Sequence, residues 1–427
     1  MAASAATTRA EMSLDAAQSD RTRAIVFLST SAEIGGAERV LLDIVRSMRE
    51  ASPDRRLVVI TSGHGTLIDE ARALGATAIA LPFPTNLSSL GDASIRRSGG
   101  RVALSLRAAL AAPDVMLYLR RLRAILREQE PDIVHSNGAK MHLLSAFASR
   151  GIAPVVWHLH DYVSSRPFMR RALRACVSRC SAVVANSASV AADARSEFGA
   201  GVRIHTVLNG VDLERCSMKG VRLDLDAGDP PDATATFRVR VGIVATFAKW
   251  KGHELFFKAL ATLPTDLPIR AYVVGGALYE TRDSQYSMDV LQGMAASMAG
   301  RVTVRFTGHV SDVPAAMRAL DIVVHASSEP EPFGLVIAEA MACGRAIITA
   351  GSGGALELVD RDCDAIAVAP GDAQALGEAI ARLARNDELR LRLGAQARES
   401  AERKFDRRRM ATSLALIYAS CATARPA

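Results

Sequence analysis

The chain has 427 residues, a length that predicts two domains of about 200 residues each rather than a single core. With 49% hydrophobic and 23% charged residues it is globular in composition, which excludes a disordered chain, and no apolar run reaches the roughly 18 residues of a membrane span. The net charge of +7 indicates anionic partners, whereas the 5% aromatic content and the lack of an RNA-binding signature exclude nucleic acid.

The first 22 residues predict a disordered tail. They are rich in Ala, Ser and Thr, carry Glu11, Asp15 and Asp20, and lack the central apolar stretch of a secretory signal. A cytoplasmic location follows. The six cysteines agree with it, because they form no CxxC pair, show no zinc-ligand spacing, and are expected to be buried free thiols.

Residues 23–212 alternate short apolar runs with helical stretches, which predicts βαβ units and a parallel sheet in an N-terminal domain. The predicted strands are residues 24–29, 57–61, 132–135, 155–159, 182–185 and 204–208. The predicted helices between them include residues 37–49, 116–130 and 141–150.

A pair of glycines follows the first predicted strand. Gly35 and Gly36 open a helix, so the backbone N–H groups there can face an anion or a substrate. We place both on the acceptor side of a site, with Gly36 also a candidate donor contact. The pair is not the dinucleotide fingerprint GxGxxG, and a plain connecting turn is the alternative interpretation.

A His-Asp pair ends the strand predicted at residues 155–159. His158 and His160 are two positions apart and therefore share a face, with His160 nearer the end of the strand. His160 is a candidate catalytic residue and Asp161 a candidate acceptor-side residue, although a lone histidine is commonly structural. No Ser/His/Asp nucleophile set and no acidic pair for a divalent metal is present, so neither a metal nor a cofactor is predicted.

Two arginine clusters lie in the first half, within residues 96–127 and 166–179. Both predict amphipathic helices with a basic side. A solvated helix face is one interpretation, and contact with an anionic membrane surface is the other, which would make the protein peripheral on the inner membrane face.

Residues 213–236 lack the alternation of short apolar runs and helical stretches, and they contain Gly, Pro and several Asp, so we expect a linker there. The alternation restarts over residues 237–404 and predicts a second parallel sheet, and a helix at about 405–420 is expected to pack back on the first domain. The predicted strands are residues 238–246, 269–274, 302–306, 322–325 and 346–349. Two doubly wound domains would bind ligands at the carboxyl ends of their strands, which predicts a cleft suited to an anion.

The second domain begins with a strand, a turn and a helix that carry the sequence KWKG at residues 249–252. A lysine ahead of a helix can neutralise the β-phosphate of a nucleotide diphosphate as it departs. Lys251 is the candidate, Lys249 competes with it, and an exposed turn residue is the alternative interpretation.

The strongest local signal is the acidic string SEPEPFGLVIAEAMA at residues 328–342. It follows a strand and runs into a helix, with Glu331 on the loop and Glu339 in the helix, so both carboxylates are candidates to bind sugar or ribose hydroxyls. Gly334 permits a tight turn, and the free N–H groups at the helix start favour a phosphate. These N–H groups belong to Phe333, Gly334, Leu335 and Val336.

Together these strings resemble glycosyltransferase family 4, the large group of retaining transferases with the GT-B fold of two Rossmann-like, doubly wound α/β domains. The string at residues 331–342 is similar to the family's EPFGxxxxEAMA motif, and the resemblance spans about residues 23–409. Further similar segments are GGAE at 35–38, NGVD at 209–212, KWKG at 249–252 and GSGG with Glu357 at 351–354.

The resemblance implies roles for individual residues. Glu331 would contact the transferred sugar, Glu339 the ribose hydroxyls, Lys251 the diphosphate, and His160 the donor sugar near the reaction centre. Many members carry an arginine five residues before the loop lysine, where this chain has Thr246, a donor-side residue without charge. The family typically uses no catalytic metal.

The predicted function is transfer of a hexose from a UDP- or GDP-sugar to an acceptor hydroxyl, with retention of configuration. The acceptor would be a glycan or a lipid-linked molecule, as in polysaccharide biosynthesis. A nucleotide-sugar epimerase or hydrolase of related fold, and a non-catalytic nucleotide-sugar-binding protein, remain alternatives.

Overall fold

The computed structural model describes residues 23–85, 101–227, 239–277, 284–299 and 302–423, with side chains in the helix that starts at residue 101 described from residue 112. The predicted tail over residues 1–22 and the end of the predicted linker lie outside this set. The chain divides into two compact units, Met1–Gly210 with Arg407–Ala427, and Val211–Asp406.

In the described part of the first unit, seven parallel strands form one sheet in the order β3-β2-β1-β4-β5-β6-β7. The strands are β1 Ala24–Ser29, β2 Arg56–Thr61, β3 Thr77–Ala80, β4 Ile133–Asn137, β5 Val155–Leu159, β6 Ala182–Ala185 and β7 Ile204–Thr206. β1 is buried along its whole length, as expected of a central parallel strand covered on both faces. The sequence prediction missed β3, whose four residues TAIA are too short to show a period.

Helices cover this sheet. They are α1 Gly36–Ala51, α2 Thr66–Ala73, α3 Arg101–Gln129, α4 Ala139–Ala148, α5 Pro167–Cys176 and α6 Ala188–Phe198. α3 begins at Arg101, well before the predicted residue 116, and continues through Pro113.

The second unit also contains one parallel sheet, in the order β10-β9-β8-β11-β12-β13 over the described residues. Its strands are β8 Val239–Val244, β9 Ile269–Val274, β10 Val304–Gly308, β11 Ile322–His325, β12 Ala346–Thr349 and β13 Ile366–Ala367. Its helices are α7 His253–Ala261, α8 Met288–Met298, α9 Val313–Ala319, α10 Leu335–Ala342, α11 Ala373–Arg385 and α12 Asp387–Lys404. Two Rossmann-like α/β units confirm the predicted fold class.

The last helix, α13 Arg407–Thr423, belongs to the first unit and packs on α1 and β4. Buried Arg407 donates two hydrogen bonds to Glu50, at 2.7 and 2.8 Å, and one to Ser47 Oγ at 2.9 Å. Tyr418 Oη lies 2.6 Å from His135 Nδ1. These contacts anchor a helix that follows the second unit in sequence.

The described part of the predicted linker packs on the second unit. Arg398 donates to the carbonyl oxygens of Cys216, at 2.9 Å, and Ala342, at 2.7 Å. Asp226 accepts a hydrogen bond from Arg270 at 2.8 Å. Arg398, and Arg270 through Asp226, therefore bind residues 213–226 to the rest of this unit.

The six cysteines are free thiols, as predicted, but not all of them are buried. Cys363 is exposed and Cys180 is half-buried. The expectation of buried thiols was wrong at these two positions, because Cys363 lies in the turn before β13 and Cys180 in the short connection before β6.

Candidate active site

The lysine loop of the second unit is a short 3-10 turn, Lys249–Lys251, between β8 and α7. Gly252 ends it with a φ of 80°, and a Cβ there would lie 1.8 Å from the carbonyl oxygen of Ala326. Only glycine fits this close approach. Thr246 is half-buried ahead of the turn and Lys251 stands directly before α7, where free N–H groups and the helix dipole favour an anion.

The acidic loop lies between β11 and α10. Gly334 adopts a φ of 95° and starts α10, so Leu335 and Val336 occupy its first turn, as the sequence predicted. The side chain of Phe333 is buried and packs edge-on against Phe405, with ring centroids 6.1 Å apart. Phe333 therefore contributes its side chain to the core and has only its backbone to offer a ligand.

The structure brings Lys251 and Glu331 together. Lys251 Nζ donates a hydrogen bond to Glu331 Oε1 at 2.7 Å, and the two side chains are only 25% and 13% exposed. Ser327 Oγ donates to Glu331 Oε2 at 2.7 Å. Burial opposes the charged form of Glu331, but hydrogen bonding with His325 and the charge of Lys251 outweigh it, so the pKa of Glu331 is held well below its usual range.

Lys249, the competing lysine, is exposed and lies with Nζ 5.8 Å above the centre of the Tyr286 ring. Its ammonium group is thus directed at an aromatic face rather than at the acidic loop. The geometry favours Lys251 as the lysine of the site.

Glu339 has a different partner from Glu331. It is buried within α10, and its Oε1 lies 3.6 Å from Arg215 Nη2. Arg215, which follows the NGVD segment by three residues, was not among the residues predicted from the sequence. A positive charge so close to the NGVD segment could have marked Arg215 as a candidate. Only the folded path of residues 211–227 shows that Arg215 reaches α10.

In the first unit, Gly35 and Gly36 lie at the start of α1. Glu38 is buried there, and it accepts hydrogen bonds from the Gly35 N–H at 3.2 Å and from Ser29 Oγ at 3.3 Å. Burial raises the pKa of Glu38, while the hydrogen bonds from its own backbone and from Gly35 oppose the rise. The glycine turn is therefore closed by a helix-capping carboxylate.

His160 follows β5, and its Nε2 is hydrogen-bonded to Asn137 Oδ1. The amide nitrogen of Asn137 donates to the carbonyl oxygen of Ala37 at 3.3 Å, which sets the amide with its oxygen toward the imidazole. His160 must then carry its proton on Nε2 and present a lone pair on Nδ1. Burial lowers the pKa of His160 to about 4, with the charge of Asp161 partly opposing the shift, so the ring is neutral near pH 7.

The neighbouring His158 is buried against His160, with ring centroids 4.2 Å apart, as their shared strand face predicted. Neither ring nitrogen of His158 has a hydrogen-bond partner among the described residues. His158 is thus a core residue. Asp161 forms an ion pair with Arg166 and is exposed.

The described residues contain no group of three or more His, Cys, Asp or Glu side chains arranged to hold a metal ion. None of the helices in this part of the chain combines the length and the hydrophobicity that a bilayer span requires.

Family models match both units. Residues 34–215 match the model for Glycosyltransferase Family 4, and residues 237–400 match the model for Glycosyl transferases group 1. Together the two matches span most of the chain.

Curated relatives include a D-inositol 3-phosphate glycosyltransferase of Xylanimonas cellulosilytica, which is 32% identical over 57% of this chain and 60% of the relative. This chain thus matches less than two thirds of that relative's length. A GDP-mannose-dependent alpha-(1-6)-phosphatidylinositol monomannoside mannosyltransferase of Mycolicibacterium smegmatis is 27% identical over 66% of this chain and 76% of the relative.

Among solved structures, Anabaena HepE in complex with UDP-glucose superposes with a TM-score of 0.73 at 26% identity. The superposition covers 92% of this chain and 98% of that one. The same protein in complex with UDP and glucose gives the same TM-score.

Proposed function

Since the chain belongs to glycosyltransferase family 4, we propose that this glycosyltransferase moves a hexose from a UDP- or GDP-sugar to an acceptor hydroxyl and retains its anomeric configuration. The observation that carries the proposal is the contact between Lys251 Nζ and Glu331 Oε1 at 2.7 Å. It joins the basic loop and the acidic motif into one polar site at two adjacent helix starts. HepE, whose complex contains UDP-glucose, supports a UDP-hexose, and the mycobacterial relative named as GDP-mannose-dependent supports a GDP-hexose.

The second unit would bind the nucleotide diphosphate. Lys251 supplies a positive charge where the diphosphate leaves, and the free N–H groups at the start of α10, with the helix dipole, add to it. Thr246 supplies no charge, so the diphosphate depends on Lys251. Glu331 would bind hydroxyls of the transferred sugar through its carboxylate, and Glu339 would bind the ribose hydroxyls.

The first unit would supply groups for sugar and acceptor hydroxyls. Neutral His160 offers a lone pair on Nδ1, so it would accept a hydrogen bond from a sugar hydroxyl rather than donate one. Gly35 and Gly36 would offer backbone groups to the acceptor, with Asp161 beside them.

Retention follows from a front-face displacement in this proposal. The bond from the anomeric carbon to the diphosphate breaks through an oxocarbenium-like state, and the acceptor oxygen bonds on the same face. The departing diphosphate takes the acceptor's proton, so no covalent protein nucleophile is required. The protein contributes positioning and electrostatic stabilisation.

Product analysis tests this proposal. The enzyme is incubated with UDP-glucose or GDP-mannose and a panel of hydroxyl acceptors, and the anomeric configuration of any product is read by proton NMR. Transfer with retention supports the proposal. Donor hydrolysis that no acceptor accelerates, or an epimerised donor, would contradict it.

The acceptor is proposed to be a glycan or a lipid-linked molecule reached at an anionic membrane surface. On the described part of α3, Met116 and Leu117 are about half exposed, and Arg120 and Arg121 are exposed one helical turn later. Exposed apolar and basic side chains on one helix face suit a headgroup region. In α5, by contrast, Arg170 pairs with Glu197 at 3.2 Å, which leaves less charge for lipid.

Vesicle flotation tests the membrane part separately. The protein should float with vesicles rich in anionic phospholipid at low salt and remain behind with neutral vesicles. The double variant with Arg120→Glu and Arg121→Glu should not float. Equal recovery of the wild type with both vesicle types would refute membrane docking without affecting the transfer reaction.

A further inference from the structure

We propose that Thr349, His325 and Ser327 form a directional hydrogen-bond relay that positions the Glu331 carboxylate. The inference rests on the proposed function, because Glu331 matters for transfer only if it binds the donor sugar. None of the three residues was singled out from the sequence. They are positioning residues, since each acts through Glu331.

Strand register places the relay. His325 and Thr349 are paired residues of the parallel strands β11 and β12, so their side chains lie on one face of the sheet. Thr349 Oγ1 lies 3.1 Å from His325 Nδ1. His325 Nε2 lies 3.3 Å from Ser327 Oγ and 3.5 Å from Glu331 Oε2.

The direction of each hydrogen bond follows from the Glu331 carboxylate, which can only accept hydrogen bonds. The Gly351 N–H donates to Thr349 Oγ1 at 3.2 Å, so the hydroxyl proton of Thr349 is free to point to His325 Nδ1. In the proposed relay His325 is neutral and carries its proton on Nε2, toward Ser327 and Glu331. The Ser327 hydroxyl donates onward to Glu331 Oε2 at 2.7 Å. Every group thus accepts one hydrogen bond and passes one on.

Gly351 is needed for this arrangement. A Cβ at this position would lie 2.8 Å from His325 Cε1 and 3.0 Å from its Nδ1, closer than side-chain atoms normally approach. Any other residue would displace the imidazole. The close approach to His325 therefore explains why the first residue of the GSGG segment is glycine, which the sequence pattern alone did not explain.

The relay fixes one oxygen of Glu331 while Lys251 holds the other. Ser327, His325 and Thr349 are 1%, 6% and 0% exposed, so the relay is shielded from water and its hydrogen bonds reinforce one another. The backbone N–H of Glu331 donates to the Ser352 carbonyl oxygen at 3.0 Å, which ties its loop to the same segment. A carboxylate held this way needs no reorganisation when the sugar binds.

Two substitutions each remove one hydroxyl group from the relay with little change in the size of the side chain. Thr349→Val removes the hydroxyl that donates to His325, and Ser327→Ala removes the last donor to Glu331. Each is expected to lower kcat on the order of ten-fold, with a smaller change in the KM for donor. Thr349→Ser keeps the hydroxyl and should restore most of kcat. Ser297→Ala, at an exposed serine in α8, is the matched control for loss of a hydroxyl.

Nitrogen-15 NMR of labelled histidine provides a readout that does not depend on activity. The His325 signals, assigned by their loss in His325→Gln, should show the proton on Nε2 in the wild type and a shift toward the Nδ1-protonated form in Thr349→Val. If the wild-type enzyme transferred no sugar, the proposed function would be refuted, and the NMR result would still decide whether the relay exists. A wild-type Nδ1 proton, an unchanged tautomer in Thr349→Val, or wild-type kcat in both variants would overturn it.

Discussion

Lys251 and Glu331 are 80 residues apart in sequence, and their side chains form a direct ion pair with Nζ 2.7 Å from Oε1. Both side chains are mostly buried. Lys251 would lose its carboxylate partner if Glu331 were removed, whereas Glu331 would keep its contacts with Ser327 and His325 if Lys251 were removed. A bound diphosphate would compete with Glu331 for the same ammonium group. In the proposed function, the pair would therefore link the binding of the leaving group to the carboxylate that would contact the sugar.

Lys251→Ala should lower kcat on the order of 100-fold or more, because the departing diphosphate loses its neutralising charge. Lys249→Ala is the matched control, since this exposed lysine lies over Tyr286 and away from the acidic loop. Steady-state kinetics with the preferred donor compare the two variants. Near wild-type turnover in Lys251→Ala would remove this residue from the mechanism.

Glu331→Ala should abolish transfer while the protein stays folded. The carboxylate is lost from the sugar site, and Lys251 is left with a solvent-filled gap that can hydrate it. Glu329→Ala, at an exposed glutamate two residues earlier, should retain activity. Near-UV circular dichroism and thermal melting establish that both variants are folded, and measurable transfer by a folded Glu331→Ala protein would contradict the assigned role.

Asn137→Asp should move the acid limb of the pH–rate profile toward neutrality. Burial holds the pKa of His160 at about 4, so the wild-type imidazole keeps its lone pair at pH 6. A negative charge at position 137 would favour the imidazolium and raise that pKa. Activity of Asn137→Asp at pH 6, relative to its own value at pH 8, should fall well below that of the wild type. Superimposable profiles would show that the protonation of His160 has no part in the reaction.

The buried histidines should make the protein less stable as the pH falls below about 6.5. Burial lowers the pKa of His135 to about 3 and of His253 to about 4, and burial with the nearby histidines lowers that of His158 well below its usual value. The unfolded chain therefore binds protons that the native state does not, and stability present at neutral pH is lost on acidification.

His158→Leu tests this dependence at one site. His158 has no hydrogen-bond partner among the described residues, so the substitution costs little there. Urea denaturation at pH 7 and pH 5 gives the free energy of unfolding at each pH. Its change with pH should be smaller in His158→Leu than in the wild type, by up to about 1.4 kcal/mol per pH unit. The exposed His64, changed to Leu, is the control and should keep the wild-type slope. An unchanged slope in His158→Leu would contradict a neutral buried ring.

A thermal-shift screen should identify the donor base. A ligand at about 100 times its Kd stabilises the native state by about 2.7 kcal/mol, which a melting curve resolves readily. UDP- and GDP-sugars are expected to raise Tm more than ADP-sugars, and the rise should shrink in Lys251→Ala. An ADP-sugar that gave the largest shift would overturn the donor assignment.

Local patterns predicted much of this molecule from sequence. The continuous apolar runs at residues 24–29 and 269–274 indicated buried parallel strands, because both faces of such a strand are covered. The short strand β3 lacked any periodic signal and was missed. The start of α3 was predicted too late, at residue 116, although the helix begins at Arg101 and continues through Pro113.

In the candidate site, too, some residues could be predicted from the sequence and others could not. Glu331, Glu339, Lys251 and His160 could be named from residue type and their places at helix starts and strand ends, because local backbone geometry determines where free N–H groups and side chains are presented. Their partners could not be named. Asn137 reaches His160, and Thr349 reaches His325 behind Glu331, through the order and register of neighbouring strands. Arg215 reaches Glu339 through the path of residues 211–227, and packing over the whole chain decides both. The sequence alone thus determined which groups are candidates for the chemistry, and only the tertiary structure decided which neighbours hold them in position.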